Sequence, residues 1–215
     1  MPSFSSDPER SADAPGAPAT ARSPRSRPAP STLAGWLQQH VTRLAQEWSE
    51  ELRARGFGHG AAVERVVDDF IRELTAFLPA LLGPRGKHLQ PLWTRACELF
   101  GAIAAKRGLA AGEVIEEFQI LRELVIRQLY EDPPRGGAPS LREVLRLNRI
   151  ADRGITHASV GHTDTMFFQL LGASGTPVGT AAEEIAREAD AQLALIREEV
   201  EQVLGEPLGA PLRDA

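Results

Sequence analysis

The 215-residue sequence has very few side chains that bind metals or form disulfides. Cys97 is its only cysteine, which excludes an intramolecular disulfide framework and a zinc site with several thiolate ligands, and fits a reducing cytoplasm. The five histidines, at positions 40, 59, 88, 157 and 162, include no pair with the i, i+4 spacing and intervening glutamate of a zinc-hydrolase helix. We therefore expect no metal site, no cofactor and a cytoplasmic protein.

The chain also lacks long apolar runs and an excess of positive charge. No segment reaches about 18 uninterrupted apolar residues, so we expect no insertion into a membrane. The net charge is −5, which gives no general attraction to nucleic acid or to an anionic membrane surface. Residues 1–31 carry seven prolines among serine, alanine and arginine, without the apolar stretch of a signal peptide, and are expected to be a disordered tail.

Apolar residues recur at every third or fourth position from Thr32 onward, and no run alternates as a strand does. Glycine and proline mark the breaks between the periodic runs. The pattern predicts an all-α fold in which residues 32–171 form an antiparallel bundle of five helices. Ser140 and Glu143 have the spacing of a capping box that begins the fifth helix. The expected helices lie at about 33–55, 63–82, 88–107, 111–131 and 140–171.

A glycine- and proline-containing stretch at 172–179 separates the bundle from a sixth helix and is expected to be a hinge. Thr180 and Glu183 repeat the capping box, so the sixth helix should span 180–204, followed by a flexible tail at 205–215. Apolar residues spaced alternately by four and three run along this helix, as in a coiled coil. We call this set the heptad seam: Ala182, Ala186, Ala189, Leu193, Ile196, Val200 and Val203.

The heptad seam predicts that the sixth helix pairs with another helix. The stripe is narrow and is flanked by many charged residues, which suits a contact between two helices. We expect a homodimer, or binding of a different signalling protein, through residues 180–204. Docking of the sixth helix on the chain's own bundle is the alternative that the sequence leaves open.

No constellation of nucleophile, base and oxyanion donor is recognisable, so we expect no catalytic residues and no enzymatic activity. The acidic pairs Asp68-Asp69 and Glu116-Glu117 have the character of solvated helix surfaces. Cys97, within the third helix, is interpreted as a small buried residue and not as a nucleophile.

The fifth helix suggests a small ligand pocket. Its expected inward line mixes apolar, polar and small residues: Val144, Asn148, Ala151, Ile155, Ala158, His162 and Met166. Polar groups on a buried face need partners, and small residues leave room, so this line is a candidate border of a cavity. Arg122, Asn148 and His162 are the candidate ligand-binding residues. The alternative is an internal hydrogen-bond network with close helix packing.

Two stretches, the first of them in two consecutive parts, are similar to a known sensor module. Residues 97–109 read Cys-Glu-Leu-Phe-Gly-Ala-Ile-Ala-Ala-Lys-Arg-Gly-Leu, residues 113–123 read Glu-Val-Ile-Glu-Glu-Phe-Gln-Ile-Leu-Arg-Glu, and residues 147–152 read Leu-Asn-Arg-Ile-Ala-Asp. With them the segment at about 40–170 resembles the N-terminal sensor domain of RsbRD-type RsbT co-antagonist proteins, a module of bacterial stress signalling that also occurs ahead of histidine kinases.

The resemblance implies a helical, non-enzymatic input module that is usually attached to an output domain. Examples of such outputs are a sulfate-transporter/anti-sigma-antagonist domain or a histidine kinase, and this sequence contains neither. It also departs from the pattern at Gly154 and Gly161, which interrupt the fifth helix, and at Phe167, where a tyrosine is expected. The family supplies no ligand residues to carry over.

The sequence as a whole predicts a non-enzymatic bacterial signalling or regulatory module, with a domain like those of stress-response sensors. It would act by helix-mediated dimerisation or by binding a partner. The alternative function is a helical bundle that binds a small ligand, a metal or haem. The stimulus and the identity of the partner are left open.

Overall fold

The computed structural model describes residues 32–55, 61–172 and 182–205, and within these ranges the fold is all-α, as predicted. The expected tails, nearly all of the expected hinge and Thr180 lie outside the described residues. The helices begin and end within two residues of the expected positions. They are α1 (Thr32–Ala54), α2 (Ala61–Leu82), α3 (Gly86–Lys106), α4 (Ala111–Glu131), α5 (Leu141–Gly172) and α6 (Ala182–Leu204).

Local chemistry at two helix ends explains where the chain turns. Gly108 has a φ of 80°, a left-handed conformation that favours glycine, and it ends α3 before the short connection to α4. At the start of α5 the predicted capping box is present. The N–H of Ser140 donates to a carboxylate oxygen of Glu143 at 2.9 Å, and the N–H of Glu143 donates to Oγ of Ser140 at 3.3 Å.

Buried aromatic rings of α1, α2, α3 and α4 pack on one another. The ring of Phe100 on α3 lies 5.5 Å from that of Phe118 on α4, 6.0 Å from that of Trp48 on α1 and 6.2 Å from that of Phe70 on α2. Such ring pairs add about 0.5–1.5 kcal/mol each beyond the burial of their area. The indole N–H of Trp93 on α3 donates to the carbonyl of Ile150 on α5 at 3.2 Å, which satisfies its only polar group. The aromatic core therefore lies among α1 to α4, and α5 packs against it.

The closest helix contact is that between α3 and α5, which run in the same direction. An ideal Cβ on Gly101 of α3 would lie 1.9 Å from the carbonyl oxygen of Ala158. One on Gly161 of α5 would lie 1.9 Å from that of Glu98. The glycines at 154 and 161 do not interrupt α5, which is continuous over its 32 residues. Gly161 allows the two backbones to touch, whereas Gly154 leaves room for the rings of Trp93 and Phe118.

The heptad seam is buried against the chain's own α2 and α3. Ala186, Ala189, Leu193, Ile196 and Val200 belong to the core, and Val203 is partly buried beside it. The side chain of Ala182 lies outside the described residues. In this arrangement the seam offers no face to a second copy or another protein, because the bundle itself covers it. The structure thus has the docked arrangement that the sequence left open.

Two ion pairs border the heptad seam on the side of α3. Lys106 of α3 pairs with Glu188 at 2.6 Å, and Arg95 of α3 pairs with Glu199 at 2.9 Å. Because these side chains are exposed to solvent, each pair contributes at most about 1 kcal/mol. Docking of α6 therefore rests mainly on the buried apolar residues of the seam.

Candidate functional site

Two of the three predicted ligand residues lie together. Arg122 of α4 and Asn148 of α5 line a pocket whose other walls are apolar, with Trp93 and Phe118 at its base. The space inside is about 30 Å³, enough for a water molecule or two and far below the volume that a small organic ligand needs. At the rim, Arg122 pairs with Asp152 at 3.4 Å. This pocket is closed by packing and not shaped around a ligand.

His162 does not belong to that pocket. It lies fourteen positions beyond Asn148 on α5, roughly 21 Å along the axis at 1.5 Å per residue. Its ring is buried, and Nε2 lies 2.7 Å from the carbonyl oxygen of Leu109, to which it donates. The small residues of the predicted line also serve packing, since Ala158 touches Gly101. The structure therefore does not bring Arg122, Asn148 and His162 into one site.

The predicted inward line of α5 is buried only in part. Its members Ala151, Ala158 and His162 are buried, whereas Val144, Asn148 and Ile155 are half-buried and Met166 is exposed. The observed inward face also includes Leu147, Ile150, Gly154 and Gly161. The helix packs between α3 and α4, so its inward face is broader than a single line of residues.

A wider groove lies between α1 and α2. It encloses about 520 Å³ but is open to solvent. Its polar side chains pair with one another: Asp68 accepts hydrogen bonds from the hydroxyl of Ser49 and from the guanidinium of Arg53. These polar groups of the groove are therefore already hydrogen-bonded and are not free to bind a ligand.

Metal ligands and reactive thiols do not gather in the described parts of the chain. No group of three or more His, Cys, Asp or Glu side chains there could hold a metal ion. Cys97 is fully buried, and burial raises the pKa of its thiol well above the usual value. The thiol is therefore protonated and shielded.

A buried ion pair lies at the turn between α3 and α4. Arg107, the residue after α3, donates from Nη1 to Oε1 of Glu117 on α4 at 3.2 Å, and both side chains are almost completely buried. The other carboxylate oxygen of Glu117 has no hydrogen-bond partner among the described residues. His162 and the Leu109 carbonyl lie at the same turn. We call Arg107, Glu117 and His162 the turn cluster.

Sequence reasoning identified His162 as a candidate residue but missed the buried pair of Arg107 and Glu117, because it treated Glu116 and Glu117 alike. Glu116 is exposed and Glu117 is not. The signal that distinguishes them is the apolar period of α4: Glu117 follows Val114 by three positions and precedes Leu121 by four, so it lies on the buried stripe.

Burial controls the protonation of Glu117. Loss of solvation raises its pKa to about 7, although the neighbouring Arg107 acts to lower it, and the charge of Glu113 raises it further. A carboxyl group with this pKa gains or loses its proton near neutral pH. Perturbed groups of this kind occur often at functional sites.

The pKa of Glu117 gives a pH-dependent stability with a defined sign. The folded state keeps the proton up to about pH 7, whereas the unfolded chain releases it near 4.5, so the free energy of unfolding should fall between these values as pH rises. The difference amounts to about 3 kcal/mol at 1.4 kcal/mol per unit. Urea denaturation from pH 5 to 8 measures it.

Two variants isolate this contribution. Glu117→Gln cannot titrate and should flatten the fall of stability with pH. Glu116→Gln, the same substitution at the exposed neighbour, should keep the wild-type slope. Equal slopes in the two variants would show that Glu117 does not carry the pH dependence.

Comparison with models of known protein families, with curated proteins and with solved structures found no match to this chain. Among the described helices, none is both long and apolar enough to cross a membrane.

Proposed function

We propose that this chain is a non-enzymatic regulatory module of bacterial signalling, in which the helical bundle receives an input and α6 passes it to a protein partner. The observation that carries the proposal is the docking of α6. A helix with the pattern of a pairing helix lies on α2 and α3 through a narrow seam, and it follows the bundle after a separate connecting segment.

The way α6 is held supports its role as a separable element. Its buried contacts include two small alanines, while Leu193, Ile196 and Val200 supply most of the apolar area. The ion pairs at its edges are exposed and contribute little. An input that loosens this docking would free the heptad seam to pair with a helix of a partner or of a second copy.

The resemblance of residues 40–170 to the RsbRD-type sensor domain supports a role in the stress response. In this proposal the protein works in the cytoplasm, without a cofactor, as a homodimer or together with a signalling component. The alternative of a bundle that binds a metal, haem or a small ligand gains no support, since the described residues offer no metal-ligand cluster and little space beside Arg122 and Asn148.

Neighbouring residues on α6 provide a matched test. Ile196 is buried in the heptad seam, whereas Leu195 is half exposed. A charge buried at position 196 should release α6, because an unpaired charge in an apolar contact is strongly unfavourable. We expect Ile196→Glu, introduced into the source bacterium, to change the expression of a defined set of genes without any stress. Leu195→Glu should leave expression as in the wild type.

Release of α6 is checked on the purified variants. Hydrogen exchange should show fast exchange in α6 of Ile196→Glu, while α1 to α5 keep their protection. If α6 is released and gene expression still matches the wild type, with and without stress, the proposed signalling role is wrong.

A further inference from the structure

The C-terminal part of α5 extends beyond the bundle. His162 is the last buried residue of α5 and meets Leu109 at the turn between α3 and α4. The helix then continues for ten residues, 163–172, which we call the α5 tip. At 1.5 Å per residue the tip is roughly 15 Å long. The two helices that flank α5 do not accompany the tip, because α3 ends and α4 begins at that turn.

One face of the α5 tip, extended by the residue one turn before it, is apolar and exposed. At about 100° per residue, this face holds Val160, Met166, Phe167, Leu170 and Leu171, which are between 37% and 72% exposed. Together they present roughly 500 Å² of apolar surface, near the upper end for the largest patch on an ordinary monomer. A patch of this size usually marks a binding surface.

The low charge of the α5 tip limits the kinds of surface that it can bind. Asp164 is the only charged residue of the α5 tip, and the tip has no lysine or arginine. An anionic lipid surface attracts helices through basic residues, so it gains no electrostatic help here. Binding of the tip to a strongly charged protein surface would remove water from the charges of that surface without forming ion pairs in return. The surface that matches an apolar, nearly uncharged helix is another of the same kind.

We propose that the α5 tip packs against the α5 tip of a second copy of this chain in a two-fold symmetric contact. A two-fold contact uses the same patch on both copies, and here that patch is complementary to itself because it is apolar and nearly uncharged. Two patches would bury about 1,000 Å², the area that a specific contact should reach. The contact leaves α6 docked and so does not require the heptad seam.

This inference extends the proposed function by assigning the dimer contact to α5. Its test measures association and the test of the signalling role measures gene expression, so either can fail without the other.

Sedimentation equilibrium of the full chain from about 1 to 100 μM tests the contact. We expect a dimer whose dissociation constant rises at least about tenfold in Phe167→Glu. Leu145→Glu is the matched control, because Leu145 is also a half-exposed apolar residue of α5 but lies near the opposite end of the helix. It should dimerise like the wild type. As a second measurement, mild oxidation of Thr163→Cys, an exposed position on the apolar face, should give a covalent dimer, whereas Leu195→Cys on α6 should not.

Three outcomes would overturn the inference. The first is a wild type that stays monomeric over this range, which would mean that another segment or a different protein covers the tip. The second is a dimer that Phe167→Glu leaves intact. The third is a monomer that floats with phosphatidylcholine–phosphatidylglycerol vesicles and loses this binding in Phe167→Glu, which would assign the tip to a membrane surface.

Discussion

Adding a single methyl group at Gly101 or Gly161 should lower the free energy of unfolding by about 3 kcal/mol or more, at the upper end of what overpacking costs. In Gly101→Ala the new Cβ would lie 1.9 Å from the carbonyl oxygen of Ala158, far inside any real contact distance. The obstacle is helix backbone and not a side chain that could turn away. To accept the methyl group, α3 and α5 must move apart, which loosens the packing of Trp93 on α5 as well.

Gly112→Ala is the matched control for this prediction. Gly112 lies in α4, and no atom of the described structure comes within 4 Å of the place of its Cβ, except for its own immediate surroundings in the helix. The substitution should be neutral or stabilise by up to about 1 kcal/mol, since alanine restricts the unfolded chain. Urea denaturation followed by tryptophan fluorescence compares the variants. If Gly101→Ala were as stable as Gly112→Ala, the close crossing of α3 and α5 would be wrong.

The glycines of α5 show what sequence periodicity can and cannot predict. The order of the helices followed from the apolar period and from the glycine and proline residues between the runs. Gly154 and Gly161 are of the same residue type as the glycines that mark the breaks between helices. The sequence alone does not show how near another helix lies to them. Tertiary packing overrides their low helix propensity here, because a side chain at position 154 would meet the rings of Trp93 and Phe118 and one at position 161 would meet the backbone of Glu98.

The heptad seam shows the same limit for partners. Its spacing predicted a narrow apolar face on α6 correctly, and Leu193, Ile196 and Val200 are buried. A heptad pattern specifies the shape and polarity of the covering surface but not the chain to which it belongs. In this structure the covering surface is the chain's own pair of helices, α2 and α3.

The candidate ligand residues were chosen along one line of α5, and that choice assumed a single inward direction. A helix between two neighbours has two inward directions. Asn148 faces α4 beside Arg122, whereas His162 meets the end of α3 at Leu109. The distance between Asn148 and His162 follows from the length of α5, which periodicity predicted. Which residues of α5 face α3 and which face α4 depends on contacts between residues distant in sequence.

Replacing Arg107 with methionine should lower the free energy of unfolding by about 3–5 kcal/mol near pH 8, because it leaves the Glu117 carboxylate buried without its cation. The pair differs in this respect from Arg55 and Glu116, the exposed pair at 3.8 Å that involves the preceding residue of α4. Arg55→Met is therefore the matched control and should cost less than about 1 kcal/mol. Equal losses in the two variants would contradict the burial of the turn cluster.

The pH dependence of this loss separates charge from packing. Near pH 5 the Glu117 carboxyl is protonated in the wild-type fold, since its pKa is about 7, so removal of the arginine then forfeits little charge pairing. The loss in Arg107→Met should accordingly be smaller near pH 5 than near pH 8. A loss that is the same at both values would mean that Arg107 acts through the packing of its aliphatic stem, with the carboxylate of Glu117 satisfied in another way. The double variant Arg107→Met/Glu117→Gln should recover part of the stability at pH 8, because it removes the buried charge together with its partner.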